Sequence, residues 1–238
     1  MKIALLGYGK MGKAIEAIAV NRKHEICLKI DSSNAKELNA ETLKEADVAI
    51  EFSRPDVALK NISTCLENNI PIVVGTTGWY EKYSEIKEQF EAQKGALLTA
   101  TNFSIGVNLF FELNKKLAQL MSPISDYKAR ITEVHHTEKL DSPSGTAISL
   151  AEQIIDNHAT YSAWKNEGSN QASDLVIESI REHDVKGTHE IVYESAIDRI
   201  SIEHFAKNRE GFALGAVIAA EFLKNNTGVF TMKDVLNL

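Results

Sequence analysis

Residues 133–146 read EVHHTEKLDSPSGT, the segment of this chain richest in groups able to do chemistry. His135 and His136 stand side by side, Lys139 follows, and Ser144, Gly145 and Thr146 lead into a helical run. Histidine exchanges protons near neutral pH, lysine supplies fixed positive charge, and a helix start presents unpaired backbone N–H groups. Such a set suits a carboxylate-bearing substrate that must be both anchored and protonated. A lone histidine is more often structural, so the cluster carries the reading. Adjacent histidines on an extended strand point to opposite sides, so joint ligation of one metal ion is not expected, and no metal is assigned.

A second constellation lies at the start of the chain. Gly7, Gly9 and Gly12, with Tyr8, Lys10 and Met11 between them, make G-x-G-x-x-G directly after an apolar run. The first glycine permits a tight turn, the second lets backbone approach a pyrophosphate, and the third lets helix and strand pack closely. Asp31 closes the next apolar run, where a carboxylate would accept hydrogen bonds from the adenosine ribose. Its charge opposes a 2′-phosphate and favours NADH, while Ser32, Ser33 and Lys36 leave room for NADPH. A structural glycine turn and a solvated strand-end acid are the plainer alternatives.

These groups need elements to hold them. Apolar runs at 2–6, 24–30, 47–52, 70–74 and 96–100 predict strands, and helical spacing intervenes after Gly12, over 57–66 and over 80–93. Such alternation predicts a Rossmann-type, doubly wound parallel sheet. Beyond Asn102 the pattern changes: helix over 105–120, strand over 127–136, helix over 144–155, a polar surface loop over 160–173, then strands at 175–182, 188–195 and 198–206. The last three predict an antiparallel meander within a second α+β domain carrying an open mixed sheet with helices on one face. An apolar helix over 211–223 is assigned back to the first lobe. The expected division is therefore 1–105 for the dinucleotide, 106–210 for substrate and oligomer contacts, and 211–238 returning to the first domain.

Composition narrows the partners. A formal charge of −7 argues against nucleic acid, which needs a surplus of Lys and Arg to neutralise phosphates. No run approaches the roughly 20 apolar residues of a membrane span, and the chain enters a strand at once with no signal peptide. Cys27 and Cys65 lie in apolar segments without metal-ligand spacing and are expected as buried free thiols, which points to the cytoplasm.

The motif HHxxKxDxPSGTA resembles the signature of the dihydrodipicolinate reductase family. The rest of the chain agrees in order: GYGKMG, FSRPD, VVGTTG, TNFSIGVN, REHDVKGTHEI and EHFAKNREGFALGA. The resemblance implies an NADH- or NADPH-dependent reductase of 4-hydroxy-tetrahydrodipicolinate or its dehydrated form, serving diaminopimelate and lysine biosynthesis. It implies His135 as general acid/base, Lys139 as proton donor and carboxylate anchor, and His136, Ser144, Gly145, Thr146 and Thr77 as substrate contacts. Gly75, Thr76 and Thr77 resemble the nicotinamide-side loop, and Ala100, Thr101, Asn102 and Phe103 a second cofactor segment, with Thr101 where the family usually has Pro. The resemblance also implies a homotetramer and a cleft between the lobes, hinged near 102–106 and 209–212. Another two-domain amino-acid dehydrogenase would share the dinucleotide fold without the histidine motif. A non-catalytic nicotinamide-binding protein would have no need of a positioned acid.

Overall fold

The computed structural model describes residues 1–166, 168–169, 171–208 and 210–238. The chain opens with β1 (Lys2–Leu6), α1 (Lys10–Asn21), β2 (Glu25–Ile30), α2 (Ala40–Leu43), β3 (Val48–Glu51), α3 (Pro55–Glu67), β4 (Ile72–Val74), α4 (Tyr83–Ala92) and β5 (Ala96–Thr99). It continues through α5 (Ile105–Met121), β6 (Lys128–His135), α6 (Gly145–Asn157), β7 (Ala163–Asn166), β8 (Asp174–Arg181), β9 (Thr188–Glu194) and β10 (Arg199–Phe205). It ends with α7 (Glu210–Leu223), β11 (Gly228–Phe230) and α8 (Met232–Leu236). Two compact units result: Met1–Ile105 with Arg209–Leu238, and Gly106–Asn208.

The first unit is a six-stranded sheet in the order β11-β5-β4-β3-β1-β2, parallel throughout. Strands β3, β4 and β5 are buried along their whole length, as expected of parallel strands covered on both faces. One face packs Ile3, Leu5, Ile50 and Leu98 against apolar residues of α1 and α7; the other packs Leu6, Ala49, Val74 and Leu97 against α3 and α4. Truncating one of these buried leucines to alanine would cost about 2–5 kcal/mol. Strand order reverses beside β1, with β2 on one side and β3 on the other, so the loops after β1 and β3 open together where α/β sheets bind ligands. Strand β11 was not foreseen, because three residues are too few to show a period.

The second unit is a mixed sheet in the order β10-β9-β6-β8-β7. Burial in β6 alternates: Ala129, Ile131, Glu133 and His135 are buried, and the residues between them less so. Ala129 and Ile131 pack with residues of α5 and α6 on that covered face.

Two expectations fail here. The three late strands do not form a meander: only β9 and β10 are an antiparallel hairpin, while β8 runs parallel to β6, which lies between β8 and β9. A short link between two strands suggests a hairpin, but β6, apolar enough to be paired on both edges, takes the central place. The surface loop expected over 160–173 contains β7, parallel to the exposed edge of β8. Its polar Lys165 and Asn166 hid it, since an edge strand gains its backbone bonds without an apolar pattern. Glu167 and Asn170 of that stretch, and Arg209 of the expected hinge, lie outside the described residues. Both cysteines are free; Cys65 is buried, but Cys27 is only half-buried because β2 is an edge strand. No helix among the described residues is long and apolar enough to cross a membrane.

Candidate active site

In the first unit the glycine loop has the form its spacing predicts. Gly7 adopts φ +105°, and a Cβ there would lie 2.1 Å from the Phe52 carbonyl oxygen. A Cβ on Gly12 would lie 2.3 Å from the Gly7 carbonyl oxygen, so the loop and α1 touch only because both positions are glycine. Gly9 differs: nothing lies within 4 Å of a Cβ built on it. It is the N-cap of α1 and supplies no side-chain acceptor, leaving the first-turn amides of Lys10, Met11 and Gly12 without a cap bond. Space over Gly9 and uncapped donors beneath it fit a pyrophosphate.

Beside the loop is a cavity of about 490 Å³, lined among others by Gly7, Tyr8, Gly9, Asp31, Ser32, Arg54 and Lys60. That volume suits part of a dinucleotide. Lys10 is exposed, and Met11 packs into the core cluster beneath. Asp31 Oδ1 accepts from the Ser33 hydroxyl and amide, at 2.6 and 2.7 Å. The Ser33 side-chain bond, then its backbone bond, hold the Asp31 carboxyl below its ordinary range, so it is an anion facing the cavity. Arg54 and Lys60, which the sequence reading did not single out, add positive charge to the same wall.

The two further segments expected at the cofactor meet on Phe52. A Cβ on Gly75 would lie 2.2 Å from the Phe52 ring, and the Phe52 and Phe103 rings are tilted with centroids 5.4 Å apart. Thr76 is buried; its Oγ1 accepts from the Ser53 amide at 2.8 Å and its carbonyl from Trp79 Nε1 at 2.8 Å. Thr77 and Thr101 are exposed, Ala100 and Asn102 half-buried, and Asn102 Oδ1 accepts from the Ser104 amide at 2.9 Å.

The second unit holds the histidine motif, and its centre is a residue that the sequence reading quoted without assigning. Glu133 is fully buried on β6. Its Oε1 accepts from the Ser144 amide at 3.0 Å and from Arg181 Nη2 at 3.1 Å. Its Oε2 lies 3.1 Å from His135 Nδ1 and 3.8 Å from His189 Nε2. The His135 contact is close but out of line for a hydrogen bond, and among the described residues neither of the two atoms has a hydrogen-bond partner. Burial alone would push the Glu133 carboxyl up; the His135 ring, the Ser144 amide, the Ser179 side chain and the Arg181 guanidinium around it outweigh burial and hold the group far below its ordinary range. The buried carboxylate is therefore ionised.

Strand register explains the assembly. Glu133 is opposite His189 on β9 and Ser179 on β8, and His135 is opposite Arg181, so all share one face. The His135 and His189 rings meet edge to face at 5.1 Å. Burial, then the neighbouring His135, pull His189 down to about 3, so it is neutral, with Nε2 3.1 Å from Ser144 Oγ. Ser144 caps α6 by accepting from the Ala147 amide at 3.2 Å. Gly145 is exposed, with open space around a built Cβ, and Thr146 follows in the first turn of α6.

His136 is half-buried with Nδ1 unpartnered among the described residues. Lys139 is not in the buried cluster: its Nζ holds Asp141 at 2.7 and 2.8 Å, an exposed pairing that an incoming carboxylate can replace. Glu133, Arg181 and His189 were missed as site residues. The available signal was an acid at an inward position of a buried strand, which requires partners. Glu133, His135 and His189 also offer three donor atoms within 4.8 Å of one another. The Arg181 guanidinium on the same carboxylate opposes a second cation there.

Comparison with known proteins gives one family for both units. A family profile described as dihydrodipicolinate reductase, N-terminus, matches residues 1–103, and its C-terminus counterpart matches residues 106–236. A 4-hydroxy-tetrahydrodipicolinate reductase of Christiangramia forsetii is 51% identical over 238 residues, covering 100% of this chain and 98% of its own. Among solved structures, a dipicolinate-bound dihydrodipicolinate reductase from Paenisporosarcina sp. TG-14 aligns with TM-score 0.78 at 23% identity, covering 98% of each chain. An engineered D-amino acid dehydrogenase bound to NADP+ aligns at TM-score 0.51 and 12% identity, over 98% of this chain and 93% of its own, and shares the fold alone. The chain belongs to the dihydrodipicolinate reductase family of NAD(P)H-dependent oxidoreductases.

Proposed function

We propose that this chain reduces 4-hydroxy-tetrahydrodipicolinate, or the dihydrodipicolinate left when it loses water, to tetrahydrodipicolinate on the route to diaminopimelate and lysine. The observation that carries the reading is the buried Glu133–His135 pair joined to the start of α6, a proton-exchanging group fixed beside an anion-binding helix end.

The first unit is the dinucleotide domain, in which residues 7–12 receive the pyrophosphate, Asp31 the ribose, and residues 75–77 and 100–103 the nicotinamide side. When bound, the reduced nicotinamide supplies hydride to the ring carbon made electrophilic by conjugation with the imine. In the second unit Lys139 exchanges Asp141 for one substrate carboxylate, and the amides of Gly145 and Thr146 at the α6 start receive another. His136 and Thr77 contact the substrate. Loss of water from the hydroxy substrate gives the C=C bond conjugated with the imine, and His135 delivers the proton to the carbon next to the one reduced, so one hydride and one proton together saturate that bond.

Two free cysteines support a reducing, cytoplasmic setting. Assembly as a homotetramer through the second sheet is supported by the exposed apolar side chains of the β9–β10 hairpin, Ile197, Ile200 and Phe205. The test of function is consumption of reduced nicotinamide by the purified protein, followed by absorbance, with substrate generated by dihydrodipicolinate synthase. Turnover that needs the synthase product and is inhibited competitively by dipicolinate is expected. No consumption above the blank would end the reading.

A further inference from the structure

His135 and the start of α6 have chemical roles in the proposed reduction, while the carboxylate that joins them takes no direct part in it. Glu133 is fully buried and ionised, and its contacts are with side chains and backbone of the second unit. Its two oxygens divide their work. Oε1 binds the Ser144 amide and Arg181; Oε2 faces His135 Nδ1.

We propose that Glu133 is the positioning residue of this site: it fixes the His135 ring through Nδ1 and the start of α6 through the Ser144 amide, so that proton donor and anion-binding turn keep one geometry. The inference rests on the reading of His135 as the acid. With a carboxylate beside Nδ1, the proton to be given away resides on Nε2. Gly187 supports this from the other side. It adopts φ +149°, and a Cβ there would lie 3.1 Å from His135 Nε2, so the working nitrogen has room because residue 187 is glycine. The misaligned Nδ1 contact is of the kind that tightens when a ligand is bound.

The charged and titratable groups around Glu133 are consistent with this role. Arg181 from β8 neutralises it and is itself tied to the Asp141 carbonyl at 2.6 Å. His189 from β9 is neutral, and His204 of β10 is pushed down by burial. Lys139 and Asp141 pair with each other. Opposite His135 Nδ1, then, the closest charge is the carboxylate.

The experiment compares wild type, Glu133→Gln, Glu133→Asp and His135→Gln in steady-state kinetics across pH, with cofactor affinity from fluorescence titration and folding from thermal melts. In Glu133→Gln, kcat should fall about 10- to 100-fold, with cofactor affinity unchanged and the alkaline limb of the kcat profile moved at least about one pH unit to lower pH. Glu133→Asp keeps the charge but shortens its reach. It should recover the position of the limb while kcat stays below wild type, and it carries the test should Glu133→Gln not fold. A folded Glu133→Gln with wild-type kcat and profile would overturn the proposal, as would a Glu133→Asp limb displaced like that of a neutral side chain. Activity lost to EDTA and restored by a divalent cation would overturn it too, by making Glu133 a metal ligand. If His135→Gln itself is as active as wild type, the failure belongs to the reading of His135 as the acid and not to the role of Glu133 alone.

Discussion

Gly9 and Gly12 are three residues apart in the same loop, and the structure assigns them opposite sensitivities to alanine. At Gly12 the added Cβ would meet the Gly7 carbonyl oxygen at 2.3 Å, so loop and helix must part by about 1 Å to reach ordinary contact distance. Overpacking of that kind costs about 1–3 kcal/mol. At Gly9 the Cβ meets nothing and φ is −86°, a value that alanine adopts freely. Losing glycine at an N-cap costs a few tenths of a kcal/mol to about 1 kcal/mol, and the reduced freedom of the unfolded chain returns about 0.4–1 kcal/mol. Gly9→Ala should therefore melt within about 3 °C of wild type, whereas Gly12→Ala should melt about 2–12 °C lower. The open space at Gly9 is where backbone must meet the pyrophosphate, so Gly9→Ala should raise the NADH dissociation constant at least about tenfold, or 1.4 kcal/mol. Melting curves and fluorescence titrations on the same samples check both parts. A Gly9→Ala protein with wild-type cofactor affinity would refute the placement of the pyrophosphate.

Three further outcomes are expected. His135→Gln should lower kcat about 10²- to 10⁴-fold in a folded, cofactor-binding protein, while His136→Gln should act mainly through substrate KM; steady-state kinetics separate the two. Lys139→Ala, which among the described residues removes a side-chain partner of Asp141, should abolish most activity and leave cofactor titrations unchanged. Acid stability follows from two lowered groups: between its unfolded value of about 6.5 and its folded value of about 3, His189 binds more protons when unfolded, so stability falls as pH falls through that window. Glu133 has the same sign, its contribution being full above about pH 4.5 and lost below, so the melting temperature of His189→Asn should depend less steeply on pH between about 4 and 6.5 than that of wild type.

The parts of this molecule legible in its sequence are those in which one residue type answers one physical demand. Short, largely apolar runs at β1, β3, β4 and β5 announce buried parallel strands, and the glycine spacing announces a close-packed turn, because no other side chain fits at Gly7 and Gly12. The HHxxK segment was visible because its groups are adjacent in the chain. Arg181 and His189 were not, because only the β8-β6-β9 register brings them to Glu133, and the expected meander would have put β8 beside β9 instead. Edge strands β7 and β11 were silent for a related reason: they are held by backbone pairing more than by pattern.

The central claim, that this chain transfers hydride from a reduced nicotinamide to the ring of a cyclic dicarboxylate, has a direct test. The purified protein is incubated with synthase-generated substrate and NADH carrying deuterium in place of both hydrogens at nicotinamide C4, and the product is examined by mass spectrometry and NMR. The account predicts tetrahydrodipicolinate carrying one deuterium at the reduced ring carbon, with the adjacent carbon receiving its hydrogen from solvent. Product without deuterium, or no reduced dicarboxylate in the presence of active synthase, would contradict it.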